Sequence, residues 1–324
     1  MIEPEPAPAR RTALPIVLLM GPTAAGKTDA ALALANRFPV EIVSVDSAMV
    51  YRGFDIGTAK PSPEEQARIP HHLIDIREPE ETYSAGQFVR DAAAAIGSIR
   101  ERGRVPVLVG GTMLYFHALL NGLAELPEGD AELRAELDER GAREGWDALH
   151  AELAAVDTEA ARRIHPNDPQ RIQRALEVYR LTGTPISRLQ SLRAPAIDAA
   201  EALCIALSPA SRASLHARIE RRFHNMMAAG FLEEVRRLHQ RAGAARELPA
   251  LRAVGYRQIR EHLQGKCELE AATHRAIAAT RQLAKRQLTW LRALATARWL
   301  DSDAAHDVAG AVAALLLVGQ SKNS

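Results

Sequence analysis

The feature that most constrains the fold is a glycine-rich segment, Gly-Pro-Thr-Ala-Ala-Gly-Lys-Thr, that begins at Gly21 and ends at Thr28. A continuous apolar run, Leu14 to Met20, precedes it, and an Ala/Leu-rich helical pattern follows from Thr28 to about Phe38. A strand, a glycine-rich turn and a helix in this order are the context in which the spacing binds phosphate. Backbone N–H groups, the positive helix end and a lysine would surround a diphosphate-like anion, with Thr28 available to Mg²⁺.

Strand and helix patterns alternate after this loop. Further strands are predicted at Glu41–Asp46, His71–Ile76 and Val105–Gly110. Ser84, followed three residues later by Gln87, forms a capping box that opens a helix from Ala85 to Arg102, and another helix follows Gly111-Thr112. This alternation predicts a parallel sheet with right-handed crossovers.

The pattern changes at Leu126-Pro127, beyond which the sequence shows only helical segments up to about Arg193. Asp168-Pro169 is a helix start, because an N-cap acid precedes a proline at the first helical position. Strand patterns return at Ala202–Leu207 and Arg298–Leu300. We predict an α/β fold, a P-loop parallel sheet core flanked by helices, with an all-helical insertion domain. The predicted parts are a disordered tail at 1–12, a core at 13–126 and 196–324 with a helical C-terminal region, and the insertion at 127–195.

Composition excludes several classes of protein. The hydrophobic content of 47% supports a full core, and two cysteines make no metal site by themselves. The longest apolar stretch, 304–319, contains Asp307 and is too short to span a membrane. The amino-terminal residues are rich in Pro, Glu and Ala and lack an apolar signal core. We therefore expect a cytoplasmic protein without a membrane partner. We also expect a monomer.

The distribution of charge is more informative than the net charge of +1. Residues 257–298 contain nine Lys or Arg and three Glu, an excess of +6, so the rest of the chain carries −5. Arg281, Lys285 and Arg292 recur at spacings of four and seven, which places them on one helix stripe. Such a stripe can follow a nucleic-acid backbone, although a solvated helix face would show the same count.

The strand Val105–Gly110 ends in Gly-Gly-Thr, where nucleotide hydrolases usually carry an acid that holds Mg²⁺. The acid that does end a strand is Asp46, at the sheet edge where ligands bind. From the residues alone, Asp46 could be a magnesium ligand, a general base or a turn cap. The loop itself does not distinguish ATP from another diphosphate.

Eight segments in order, from about Leu14 to Leu300, resemble the bacterial tRNA dimethylallyltransferases. They are Gly-Pro-Thr-Ala-Ala-Gly-Lys-Thr at 21, Val-Asp-Ser-Ala-Met-Val-Tyr-Arg at 45, Asp-Ile-Gly-Thr-Ala-Lys-Pro at 55, His-His-Leu-Ile-Asp at 71, Gly-Gly-Thr-Met-Leu-Tyr at 110, Asn-Asp-Pro-Gln-Arg-Ile-Gln-Arg-Ala at 167, Ala-Val-Gly-Tyr-Arg-Gln at 253 and Lys-Arg-Gln-Leu-Thr-Trp-Leu-Arg at 285. The resemblance implies transfer of a dimethylallyl group from dimethylallyl diphosphate to N6 of adenosine at tRNA position 37, with Mg²⁺ as cofactor.

The resemblance also implies roles for individual residues. Asp46 would be the base and Thr112 would orient the reacting centre, while Arg218 is a second candidate beside Arg222 for the diphosphate. The implied diphosphate site comprises Gly21, Thr23, Ala24, Ala25, Gly26, Lys27, Thr28 and Arg222, with Thr28 as metal ligand. The implied contacts to the tRNA anticodon stem-loop are Asp46, Ser47, Ala48, Met49, Arg134, Gln170, Arg171, Ile172, Gln173, Arg174, Arg252, Ala253, Val254, Gly255, Tyr256, Arg257, Lys285, Arg286, Gln287 and Arg292. Trp290 could stack on a base, but a core position is favoured.

Three other functions remain open from the residues alone. A P-loop small-molecule kinase would share the fold and the loop. A transferase could act on a free adenine nucleotide, although the basic stripe argues against so small an acceptor. A non-catalytic RNA-binding protein would have no need of Asp46 beside an intact phosphate loop.

Overall fold

The computed structural model describes residues 14–124, 126–191, 194–242 and 248–303, together with residues 310, 311 and 314. The predicted N-terminal tail therefore lies outside the described residues. The described residues form two compact units, a smaller one within 118–196 and a larger one that comprises the others.

A six-stranded parallel sheet forms the centre of the larger unit, in the order β3-β2-β4-β1-β5-β6. The strands are β1 Ile16–Met20, β2 Val40–Val45, β3 His71–His72, β4 Val105–Gly110, β5 Ala202–Ser208 and β6 Arg298–Asp301. Every residue of β1 and β2 is buried, which explains their nearly continuous apolar sequences. The α/β class with a parallel sheet is confirmed, although the strand expected at His71–Ile76 keeps only its first two residues.

Helices surround this sheet and fill the C-terminal third of the chain. In the larger unit they are α1 Lys27–Ala35, α2 Pro63–Arg68, α3 Ala85–Glu101, α10 Arg212–Ala228, α11 Phe231–Ala242, α12 Tyr256–Leu263 and α13 Leu269–Ala293. Helices α10 to α13 share an apolar core with the segment after β2, in which Phe54, Phe223, Phe231 and Tyr256 are buried. The capping box predicted at α3 is confirmed, because Ser84 and Gln87 exchange side-chain-to-backbone hydrogen bonds.

The described part of the smaller unit contains helices and no strand. Helix α4, Met113–Asn121, crosses the boundary between the two units, and α5 Ala131–Glu144, α6 Trp146–Val156, α7 Thr158–Arg163, α8 Pro169–Thr182 and α9 Ile186–Gln190 follow. Leu137, Leu149, Leu153 and Ile172 are fully buried in a core of its own. The predicted start of α8 is confirmed, since the Asp168 carboxylate accepts from the Arg171 backbone N–H at 3.2 Å. Among the described residues, no helix has the length and apolar character that crossing a membrane would require.

Candidate active site

Three loops that follow neighbouring strands converge at the carboxyl edge of the sheet. The phosphate loop follows β1, Gly111-Thr112 follows β4, and Asp46 follows β2. Because β2, β4 and β1 are adjacent and parallel, their carboxyl ends lie at one edge. The loops line a cavity of about 1700 Å³, together with Arg222 on α10 and Gln287 on α13.

The phosphate loop adopts a conformation that depends on its glycines. Gly26 has a φ of +83°, in the left-handed region, and ends the loop just before α1 begins at Lys27. A Cβ at Gly21 would lie 2.3 Å from the carbonyl oxygen of Leu207, so no side chain fits there. The Lys27 ammonium donates hydrogen bonds to the carbonyl oxygens of Gly21 at 3.0 Å and Pro22 at 2.7 Å. The loop thus holds its lysine in place before any anion binds.

The surroundings of Lys27 bring the pKa of its ammonium group close to neutral pH. Burial of the ammonium and the nearby positive charge of Arg222 lower the pKa of Lys27 from 10.5 to about 7, although Asp46 acts in the opposite direction. Burial also lowers the pKa of the Arg222 guanidinium, against the effect of Asp46. Two cations close to each other without a matching number of anions favour an anionic ligand between them.

Asp46 and Thr112 are connected through the first residues after β2. The Oδ1 of Asp46 accepts hydrogen bonds from the backbone N–H groups of Ala48 at 2.8 Å and Met49 at 3.3 Å. The Oγ1 of Thr112 accepts one from the Ser47 N–H at 3.1 Å. Asp46 therefore does cap a turn, and it also lines the cavity, so the cap does not remove its carboxylate from the site.

The end of β4 has no room for a metal-binding acid. A Cβ at Gly110 would lie 2.0 Å from the Val45 carbonyl oxygen, and one at Gly111 would lie 2.4 Å from the Gln287 Nε2. In the described part of the chain, no three His, Cys, Asp or Glu side chains form a group that could hold a metal ion. His71 and His72 instead bond to the Ile69 carbonyl oxygen and the Glu41 carboxylate, which agrees with a structural role.

The two candidate arginines on α10 have different surroundings. Arg222 donates to the Thr58 carbonyl oxygen at 3.1 Å and lines the cavity beside Lys27. Arg218 forms an ion pair with Asp303 and donates to the Ser302 hydroxyl at 3.0 Å. Its partners thus lie in the segment that follows β6.

Sequence reasoning missed Glu234, a buried carboxylate on α11 that is 1% exposed. It accepts hydrogen bonds from the backbone N–H groups of Asp55, Ile56 and Gly57 and from the Tyr256 hydroxyl, at 2.6 to 3.1 Å. These bonds hold the segment after β2 whose Thr58 carbonyl receives Arg222. Glu234 has no neighbour in the sequence that would have indicated this role.

The family described as IPP transferase matches residues 49–294 of the chain. The tRNA dimethylallyltransferase of Bordetella petrii is 59% identical over 284 residues, which cover 87% of this chain and 90% of the relative. That of Methylococcus capsulatus is 57% identical and covers 89% and 92%. The chain belongs to the IPP transferase family, that of the tRNA dimethylallyltransferases.

Solved structures agree with this membership. The tRNA isopentenylpyrophosphate transferase of Bacillus halodurans is 37% identical, with a TM-score of 0.68, and the match covers 96% of this chain and 99% of that one. A eukaryotic dimethylallyltransferase acting on tRNA is 26% identical, with a TM-score of 0.77, and the match covers 93% and 77%. The resemblance inferred from the motifs is confirmed.

Several predicted tRNA contacts of the larger unit lie on its surface. Arg252, Arg257, Lys285, Arg286 and Arg292 are exposed residues, as is Ser47 at the end of β2. Arg281, a member of the predicted stripe, instead forms an ion pair with Glu220 at 2.9 Å. The stripe available to a polyanion is therefore narrower than the spacing predicted.

Four residues predicted to contact tRNA are buried, namely Ile172, Gly255, Tyr256 and Gln287. Ile172 is 0% exposed in the core of the smaller unit, and Tyr256 is 1% exposed against Phe54 and Glu234. Gln287 is 7% exposed and hydrogen-bonded to two loops of the cavity. Each belongs to a motif of consecutive residues at or within a helix, where successive positions point in different directions.

Two predicted tRNA contacts in the smaller unit, Arg134 and Arg174, form ion pairs with a buried glutamate. Glu177 is fully buried, and it pairs with Arg134 at 2.7 Å and Arg174 at 2.6 Å. Gln170 and Arg171 are exposed at the start of α8. Arg134 keeps 45% of its side chain exposed, so pairing leaves part of it accessible.

The expectation that Trp290 lies in the core is wrong. The residue is 43% exposed and lines the cavity, with its ring edge-on to that of His117 at 5.5 Å between centroids. Leu114, 49% exposed, lines the same cavity. The cavity thus has an apolar rim in addition to its cationic floor.

Proposed function

We propose that this chain transfers a dimethylallyl group from dimethylallyl diphosphate to N6 of adenosine 37 in tRNA, as the family and its relatives' names support. The observation that carries the proposal is the convergence of Lys27, Arg222, Asp46 and Thr112 on one cavity. Cations and an acid at the same edge of the sheet suit a reaction with an anionic leaving group and a nucleophile that must lose a proton.

The cationic side of the cavity would receive the diphosphate. Negative charge grows on the leaving group as the bond to the allylic carbon breaks, and groups already in place stabilise it without reorganising. The phosphate loop amides, Lys27 and Arg222 are such groups. Because the interaction strengthens as the bond breaks, we expect loss of Lys27 to lower turnover as well as substrate affinity.

The acidic side would receive the adenosine. An exocyclic adenine amine is a poor nucleophile, and a base that removes a proton as the new bond forms is required. Asp46, which follows β2, offers a carboxylate in this cavity for that role. Thr112, held to the Ser47 N–H, would orient the amine toward the allylic carbon.

Mg²⁺ would be held mainly by the substrate and by few protein ligands. Thr28, an exposed residue at the start of α1, lines the cavity and offers a hydroxyl oxygen. Magnesium commonly keeps its waters and takes one or two protein ligands beside substrate phosphates, which fits a site without an acidic cluster. When bound, the ion would neutralise charge on the diphosphate.

The proposed tRNA surface of the larger unit consists of the exposed basic residues Arg252, Arg257, Lys285, Arg286 and Arg292. In the smaller unit we propose the exposed start of α8, with Gln170 and Arg171. An adenosine in an anticodon loop must leave its stack for N6 to reach the carbon at the diphosphate. The exposed Trp290 at the cavity rim offers an aromatic face on which an unstacked base could lie.

One assay separates this proposal from its alternatives. The protein is incubated with dimethylallyl diphosphate labelled in the allyl group or with ATP labelled in the γ-phosphate, with unmodified tRNA, free AMP or no acceptor. We expect allyl label in tRNA alone. Transfer of phosphate from ATP would establish a kinase, label in AMP would establish a free-nucleotide acceptor, and binding of tRNA without any transfer would leave only an RNA-binding protein.

A further inference from the structure

Gln287 is a buried amide on α13 that bridges two loops of the cavity. Its Oε1 accepts a hydrogen bond from the Thr23 backbone N–H at 3.0 Å, and its Nε2 donates to the Gly111 carbonyl oxygen at 2.7 Å. Thr23 belongs to the phosphate loop after β1, and Gly111 belongs to the turn after β4. The two bonds join segments that are 264 and 176 residues away from Gln287 in sequence.

The two bonds require opposite properties at the two ends of one side chain. The Thr23 N–H needs an acceptor and the Gly111 carbonyl needs a donor, which fixes the orientation of the amide. A carboxylate would satisfy the first and repel the second, and a thioether would satisfy neither. The fit is close, because a Cβ at Gly111 would lie 2.4 Å from Nε2.

The bridge connects the two chemical sides of the site. Thr23 adjoins the proposed diphosphate position, whereas Gly111 precedes Thr112, whose Oγ1 binds the N–H of the residue after Asp46. A change in the distance between these loops would displace the leaving group from the base. Positioning of this kind is a large part of the advantage of a preorganised site.

We propose that Gln287 is a positioning residue that sets the distance between the phosphate loop and the Thr112 turn. This inference rests on the proposed function, since that function makes the diphosphate the ligand of the loop. It replaces the expectation that Gln287 contacts tRNA directly.

The test compares Gln287→Glu and Gln287→Met with Gln282→Glu. Gln282 is an exposed residue on the same helix, so its variant introduces the same charge without touching the cavity. Affinity for inorganic pyrophosphate with Mg²⁺ and affinity for tRNA are measured by calorimetry, and kcat and KM for dimethylallyl diphosphate are measured at saturating tRNA. We expect both Gln287 variants to lose about ten-fold in pyrophosphate affinity and at least as much in kcat. The reason is that the Thr23 N–H or the Gly111 carbonyl loses its buried partner, so the phosphate loop is no longer held beside the Thr112 turn. The affinity of the Gln287 variants for tRNA should stay within two-fold, and so should the pyrophosphate affinity of Gln282→Glu and its kcat at saturating tRNA.

Unchanged pyrophosphate affinity in both Gln287 variants would overturn the proposal, and so would a loss confined to tRNA affinity. If the Gln287 variants do not fold, Gly111→Ala, which displaces the amide through its methyl group, must give the same selective loss or the proposal is wrong. Pyrophosphate binding needs no transfer reaction. A wild type that binds pyrophosphate but transfers no allyl group would thus refute the proposed function and still leave the role of Gln287 measurable.

Discussion

The charge state of Lys27 gives a prediction that depends on pH. With a pKa of about 7 in the free protein, about half of the Lys27 side chains are charged at pH 7 and roughly 3% at pH 8.5. A bound diphosphate favours the ammonium and raises its pKa, so binding above neutral pH must take up a proton. We expect the Lys27-dependent part of pyrophosphate affinity to fall by about 15-fold between pH 7 and pH 8.5.

The effect of the same group on stability has a definite sign. The folded pKa lies below the unfolded value of 10.5, so between about pH 7 and 10.5 the unfolded chain binds the extra proton. The contribution of Lys27 therefore makes the folded state more stable as pH rises through that window. Affinity for the anion and stability of the free protein should change in opposite directions.

Calorimetry in buffers of different ionisation enthalpy measures both the affinity and the proton uptake. At pH 8 we expect the wild type to take up about 0.9 more protons per pyrophosphate than Lys27→Met, and at pH 6 almost none. Lys27→Met is the matched control because pyrophosphate and the other groups titrate equally in it. If both proteins show the same pH dependence and the same proton uptake, the argument that Lys27 is poised near neutral pH fails.

Three further predictions test other parts of the site and fold. Asp46→Asn should lower kcat by about 10² to 10⁴ with unchanged tRNA affinity, and near-wild-type turnover would leave Asp46 as a turn cap only. Combined Lys285→Gln and Arg292→Gln should weaken tRNA binding and flatten its log–log salt dependence by about 0.7 to 0.9 per lost contact, whereas an unchanged slope would indicate a merely solvated face. Gly57→Ala should cost about 1 to 3 kcal/mol in urea unfolding, because its Cβ would lie 2.2 Å from Phe231. Gly97→Ala, inside α3 with open space around it, should instead stabilise the fold by up to about 1 kcal/mol.

The strands and the site at their ends could be predicted because both follow from local pattern. Continuous apolar runs such as Ile16–Met20 mark buried parallel strands, and parallel strands bring their carboxyl ends to one edge. Asp46 and the phosphate loop could thus be placed at one edge from the residues, whereas the family resemblance added Thr112 to them. The order of strands in the sheet was not predicted, since the apolar pattern of a strand does not identify its neighbours.

Interactions between distant helices and loops were beyond sequence pattern. Glu234 serves the segment after β2 from 177 to 179 residues away, and Arg281 finds Glu220 at a separation of 61. In neither pair do the two partners share a helix or strand, so no hydrophobic or charge periodicity in the sequence connects them. The positive excess between 257 and 298 counted Arg281 as available charge, whereas its ion pair removes much of that charge from the surface.

The run Lys285-Arg286-Gln287 shows how one motif can serve two ends of a reaction. Successive helix residues are about 100° apart, so a side chain two positions on points nearly away from the first. Lys285 and Arg286 accordingly are exposed, while Gln287 reaches Thr23 and Gly111. A polyanion bound to the exposed face of α13 would contact the same helix that, through Gln287, joins the phosphate loop to the Thr112 turn. The motif therefore places two exposed cations, which we propose to contact tRNA, beside a buried amide that joins two loops of the site.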